Sequence, residues 1–168
     1  MGLIFLVGFM GCGKTSWGRK LAVGLEYEFI DLDHTLEAKA GATVAEYFAL
    51  HGEEAFRKLE SEILKTTDYP ENTVVSTGGG LPCFFDNMDW MNSNGQSLYI
   101  QLSPKALASR LENAKTPRPV LQGKTGDELV EFIEYKLAER EGFYLKAKHT
   151  ISGIDMSVEK LVEVLGLS

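Results

Sequence analysis

A chain of 168 residues with 44% hydrophobic content is long and apolar enough for one domain with a buried core. Seventeen basic residues against 24 acidic ones give a net charge of −7, which argues against nonspecific nucleic-acid or anionic-membrane binding while leaving room for an anionic ligand in a locally basic pocket. The two cysteines, Cys12 and Cys83, lack CxxC spacing, and the apolar start lacks both a basic leader and the myristoylation pattern, so a reduced, cytoplasmic protein without a membrane span is expected.

In chain order, residues 3–7 form a continuous apolar run, as in a strand buried on both faces. Residues 14–25 carry apolar side chains at helical spacing (Trp17, Leu21, Ala22, Leu25), and 27–32 read as a second strand. A helix over 33–40 opens on acidic residues. Thr43-Val44-Ala45-Glu46 is a capping-box pattern that starts a third helix, and 53–66 reads as a fourth. The strand at 74–76 stops on Gly78-Gly79-Gly80. A short helix at 86–91 and a strand at 97–102 follow, and Ser103-Pro104 then starts a helix with Ser as N-cap and Pro at the first helical position. Residues 113–124 have no apolar period and read as loop. A long amphipathic helix at 127–146, a weak strand at 150–152 and a helix at 157–165 complete the chain. Strands alternating with helices predict a parallel sheet covered on both faces, with ligands at the carboxyl ends of the strands.

Gly8-Phe9-Met10-Gly11-Cys12-Gly13-Lys14-Thr15 matches G-x-x-x-x-G-K-[ST] between a predicted strand and a predicted helix. Backbone N–H groups of such a loop and the helix start wrap phosphates, so Gly11, Cys12, Gly13, Lys14, Thr15 and Ser16 are assigned to ATP. Lys14 reaches for the β- and γ-phosphates and the Thr15 hydroxyl for Mg²⁺. Cys12 reads as a small filler of the loop. At the end of the second strand, alternation sends Asp31 and Asp33 to one side and Leu32 to the other. Asp31 then helps to hold hydrated Mg²⁺, and Asp33 binds an acceptor hydroxyl and can take its proton. Alternatively, Asp33 only caps the following helix.

The P-loop, the Asp31-Leu32-Asp33 run, Phe56-Arg57, Thr77 with its three glycines, Arg118-Pro119, and Arg140 with Tyr144 four residues on occur in this order. Together they resemble shikimate kinase over essentially the whole chain. The resemblance implies one P-loop domain over 1–168 with α/β/α layers and a five-stranded parallel sheet of order 2-3-1-4-5. It also implies substrate-binding helices at about 33–61 and a lid at about 113–124. The implied reaction moves the γ-phosphoryl group of ATP to the 3-hydroxyl of shikimate, in a monomer with Mg²⁺. By position, Asp33, Arg57, Gly78, Gly79, Gly80 and Arg140 resemble shikimate ligands. Arg118 resembles the lid arginine, and Arg110 a second arginine near the adenine.

Read without the family, Arg57 and Arg140 are surface helix arginines pairing with Glu53, Glu60, Glu139 or Glu141. The glycine run is then either a tight turn of positive φ or a floor that lets a substrate approach bare backbone. Phe48, Phe84, Phe85, Trp17 and Trp90 read as core, and His34, His51 and His149 as surface or capping residues. Strand three carries Ser76 where a Walker B Asp is expected, and residues 153–157 lack an expected proline. The rival reading is a related small-molecule kinase such as a gluconokinase, and from another class, a nucleotide-responsive binding module.

Overall fold

The computed structural model describes residues 2–113 and 124–167. Its strands are β1 (Gly2–Val7), β2 (Glu28–Asp31), β3 (Asn72–Ser76), β4 (Gly95–Gln101) and β5 (His149–Ser152), paired in parallel in the order β2-β3-β1-β4-β5. The helices are α1 (Lys14–Leu25), α2 (Leu32–Ala40), α3 (Val44–Thr66), α4 (Asn87–Asn94), α5 (Pro104–Glu112), α6 (Gly126–Tyr144) and α7 (Val158–Val164), with a 3₁₀ turn at Leu81–Cys83. The buried stretches of the central strands are mostly apolar because helices cover both faces, with Thr73 and Ser76 of β3 and Ser97 of β4 as the buried polar residues. Ile4, Phe5, Leu6 and Val7 of β1 and Leu98, Tyr99 and Ile100 of β4 are all buried. Each such aliphatic or aromatic side chain contributes about 1.5–3 kcal/mol. Phe5 meets Tyr69 and Trp90 edge-on, each at 6.0 Å between ring centroids, the arrangement that ring quadrupoles favour.

The expected caps form. Ser103 accepts from the Ala106 amide at 3.2 Å and Pro104 opens α5. In the capping box, Thr43 Oγ1 accepts from the Glu46 amide at 3.0 Å, and Glu46 Oε1 accepts from the Thr43 amide at 2.8 Å. Glu37 of α2 accepts from the Val44 amide at 2.8 Å, which ties the start of α3 to its neighbour. The helix expected from Thr43 and the one expected over 53–66 follow one another along α3 and are separated by a break at Gly52, whose φ of 85° a side chain would resist.

A buried amide locks α3 to the segment after β3. Asn87 is fully buried; its Oδ1 accepts from Ser61 Oγ at 2.7 Å, and its Nδ2 donates to the Leu81 carbonyl at 2.8 Å. Asn87→Ala would strand both partners. A destabilisation of about 2–4 kcal/mol is expected, read as a lower urea midpoint at unchanged slope. A loss below about 0.5 kcal/mol would show that these bonds are replaceable.

The predicted lid over 113–124 falls almost wholly outside the described residues. No helix of the described residues is long and apolar enough to cross a membrane.

Candidate active site

The carboxyl ends of β1, β2 and β3 converge on one cleft of about 540 Å³. Its floor is the loop between β1 and α1. Gly13 caps α1 at φ 104°, a conformation that glycine takes without strain, and no side chain caps that helix. The first-turn N–H groups are therefore available to an anion. Lys14 is buried, and its ammonium donates to the carbonyls of Gly8 at 2.7 Å and Phe9 at 3.1 Å. Gly11, Gly13, Lys14, Thr15 and Ser16 all line the cleft. Cys12 does not; its thiol is buried against the loop, as a filler would be. Arg110 reaches across from α5, with Nη1 donating to the Cys12 carbonyl at 3.3 Å. Arg118 lies outside the described residues.

The two aspartates are brought together by a different geometry from strand alternation. β2 ends at Asp31 and Leu32 already begins α2, so Asp33 stands in the first turn of a helix. Asp31, not Asp33, is the N-cap: its Oδ1 accepts from the Asp33 amide at 3.0 Å. Its Oδ2 accepts from the Thr15 hydroxyl at 3.2 Å, and Thr15 Oγ1 is 3.4 Å from Ser76 Oγ. Register explains the cluster, since Asp31 and Leu6 both pair with Ser76 on β3. Thr15, Asp31 and Ser76 are hard oxygen donors, a set suited to Mg²⁺ that retains water ligands. Ser76 thus stands where the sequence lacked a Walker B acid.

Next to the cleft, and sharing Met10, Asp33, Gly78 and Gly79 with it, is a second cavity of about 130 Å³. One wall is apolar, from Val44, Ala45, Phe48 and Phe56. The other holds Arg57, Glu60 and Arg140. Arg57 is not the surface arginine that its glutamate neighbours suggested: it is 7% exposed. Its guanidinium stacks on Phe84 at 4.4 Å, pairs with buried Glu60 at 3.0 Å, and reaches the exposed Glu53 at 3.4 Å. Arg57 Nε and Arg140 Nη1 are buried without a hydrogen-bond partner. Two unsatisfied guanidinium donors are costly unless an acceptor enters, and a carboxylate is the acceptor whose shape suits them.

The glycine run is shaped by its neighbours. None of its three residues has positive φ, so a strained turn does not account for it. A Cβ on Gly78 would come within 2.7 Å of Glu60 Oε2 and 3.0 Å of Asp33 Oδ1. On Gly80 it would lie 2.5 Å from Arg57 Nη1. Close approach does require the glycines: the site's own acids and Arg57 approach Gly78 and Gly80, and the Met10 backbone nitrogen lies 3.1 Å from the place of a Cβ on Gly79, while all three line the second cavity.

Glu60 is the site residue that sequence reasoning passed over, counting it only as a surface partner. Burial pushes its carboxyl up to about 7; Arg57 opposes this and the neighbouring Asp33 adds to it. An unfolded chain releases this proton near 4.5, whereas the folded chain keeps it until about 7. Stability from this group is therefore fully present below about 4.5 and is lost as pH rises through about 7. Glu60→Gln removes the titration. The fall in unfolding free energy between about pH 4.5 and pH 7.5 is expected to be smaller in the variant than in the wild type; parallel profiles would refute the assignment.

The remaining expectations divide. Phe48 lines the second cavity and Phe84 covers Arg57, whereas Phe85 is largely exposed at φ 51° and is not core. His51 stacks on Tyr47 and His149 bonds Gln96, while His34 is exposed. Cys83 lies near Arg140 and Arg57, but burial pushes its thiol up to about 11, which leaves it un-ionised at neutral pH.

Comparison with known proteins identifies relatives along the whole chain. The shikimate kinase family profile matches residues 10–165. A shikimate kinase of Bacteroides fragilis is 45% identical over 98% of this chain and 96% of that protein. Among solved structures, the shikimate kinase of Bacteroides thetaiotaomicron superimposes with a TM-score of 0.93 at 42% identity, over 99% of each chain. That of Acinetobacter baumannii in complex with shikimate superimposes with a TM-score of 0.85 at 32% identity, over 97% of this chain and 89% of that one.

Proposed function

The chain belongs to the shikimate kinase family, and from that premise we propose how its residues carry the reaction. The reaction converts shikimate and ATP to shikimate 3-phosphate and ADP, on the route to chorismate and the aromatic amino acids. One observation carries the division of labour: Asp33 lies on the wall common to the P-loop cleft and the arginine-lined cavity. An acceptor hydroxyl at that wall faces Asp33 on one side and the terminal phosphate on the other.

In this reading the carboxylate of shikimate takes the open donors of Arg57 and Arg140, and its ring rests against Phe48 and Phe56. Asp33 accepts the proton of the 3-hydroxyl. The oxygen forms a bond to the γ-phosphorus as the bond to the bridging oxygen breaks, and ADP leaves with that electron pair. The P-loop N–H groups hold the phosphates. Lys14 exchanges the Gly8 and Phe9 carbonyls for phosphate oxygens. Arg110 lies on the nucleotide side. Mg²⁺, held by Thr15 and by Asp31 through water, would neutralise phosphate charge. Arg118 enters by resemblance alone, as the arginine that covers the phosphates. A monomer in the cytoplasm is the working unit that the family resemblance implies, and both cysteines are free.

The test is ADP release from Mg·ATP with shikimate, gluconate or AMP offered in parallel. Turnover with shikimate alone is expected. Preference for gluconate would transfer the same geometry to the rival kinase, and nucleotide binding without any acceptor-dependent turnover would favour a binding module.

A further inference from the structure

The backbone that floors the substrate cavity is held from below by one buried phenol. Tyr144, the last residue of α6, is fully buried, and its hydroxyl donates to the Gly79 carbonyl at 2.5 Å. The carbonyls on either side are taken by backbone amides: Gly78 O by Leu81 N at 3.2 Å and Gly80 O by Cys83 N at 3.0 Å. Among these three carbonyls, only that of Gly79 depends on a side chain from another element. A trans peptide is planar, so fixing the Gly79 carbonyl fixes the Gly80 N–H in the opposite direction. With no Cβ along this run, little else restricts rotation of that plane.

Tyr144 also sits one helical turn after Arg140, on the same face of α6. Arg140 Nη1 is 3.7 Å from the place a Cβ on Gly79 would occupy. The Tyr144–Gly79 bond therefore sets the spacing between the glycine run and the arginine beside it. We propose that Tyr144 is a positioning residue for the acceptor. Its hydroxyl orients the Gly79–Gly80 peptide and keeps Arg140 at carboxylate distance, so that it governs shikimate affinity without touching ATP. This rests on the shikimate reading of the cavity. Burial drives the phenol's titration far above neutral, so the donor persists at all working pH values.

A purely structural tyrosine would serve the fold as phenylalanine, and the neighbouring ring supplies the comparison. Tyr99 stacks on Tyr144 at 5.1 Å between centroids, is equally buried, and donates its hydroxyl to Glu141 Oε2 at 2.7 Å, away from the glycine run. Tyr144→Phe and Tyr99→Phe each delete one buried hydroxyl from the same cluster. The experiment measures KM for shikimate and for ATP, and kcat, in wild type and both variants. Tyr144→Phe is expected to raise the shikimate KM about tenfold with the ATP KM within about twofold of wild type, while Tyr99→Phe leaves both within about twofold.

A shikimate KM unchanged in Tyr144→Phe overturns the proposal, as does an equal rise in Tyr99→Phe or a parallel loss of ATP affinity. Should Tyr144→Phe not fold, the wild type decides through its Gly80 amide resonance in a ¹H–¹⁵N spectrum. A shift on adding shikimate without nucleotide is expected, and an unmoved resonance overturns the proposal. Wild-type protein that does not turn over shikimate would sink the substrate reading and this inference together. Wild-type turnover with an unaltered Tyr144→Phe would sink this inference alone.

Discussion

Asp33→Asn is expected to lower kcat by about 10²–10⁴-fold while Mg·ATP affinity stays within about twofold of wild type. Asparagine keeps the size of the side chain and an oxygen for the acceptor hydroxyl, but it cannot take the proton. The position makes the variant informative, because Asp33 borders both cavities while the helix cap and the Thr15 contact belong to Asp31. The first turn of α2 should therefore survive, and so should the oxygen cluster proposed for Mg²⁺. Steady-state kinetics together with a nucleotide-binding titration check this. Near-normal turnover would remove Asp33 from the chemistry. A raised shikimate KM with intact kcat would make it a positioning group.

Arg57→Ala should act mainly on the acceptor. A charge-assisted hydrogen bond contributes about 1.5–3 kcal/mol, and Arg57 offers a buried, unsatisfied Nε within a guanidinium whose carbon lies 4.4 Å from the Phe84 ring centroid. A rise in shikimate KM of about 100-fold is expected, with ATP KM little changed. The variant should also be less stable, because Glu60 loses its closest cation at 3.0 Å. Breaking a buried pair costs about 3–5 kcal/mol when the remaining charge is trapped. Here protonation of Glu60, already raised to about 7, limits that cost and shifts it toward high pH. Arg57→Lys should not restore affinity, since an ammonium lacks the planar fork. An unchanged shikimate KM in Arg57→Ala would separate this arginine from substrate binding.

How much of this could be read from the chain depended on whether each signal was local. The P-loop was legible because its motif, the strand before it and the helix after it all lie within one short stretch. The boundary at Asp31-Leu32 was not, because an extended strand and a helix capped by Asp31 share the same residues, and the Thr15 and Ser76 contacts come from other elements. Arg57 has acids at helical spacing on both sides, as an exposed ion-pair ladder would. Its burial comes from Phe84, buried Glu60 and the Gly80 backbone together, and only the topology brings Phe84 and Gly80 over it. Glu60 did leave a trace. It follows Phe56 by four residues and precedes Ile63 and Leu64, so a carboxylate interrupts the apolar stripe of α3, and all four residues are buried. The need for close approach at the glycine run was legible, but the identity of the approaching groups required three dimensions.

The crowding above Gly80 also limits how the sequence can drift. The guanidinium of Arg57 occupies the volume that even a methyl group at position 80 would require. A lineage that gained a side chain there would have to displace its carboxylate-facing arginine, and one that lost the arginine would open a void beneath bare backbone. Positions 57 and 80, far apart along the chain, are thus expected to vary together, because a side chain at 80 fits only if the guanidinium of residue 57 moves or is replaced.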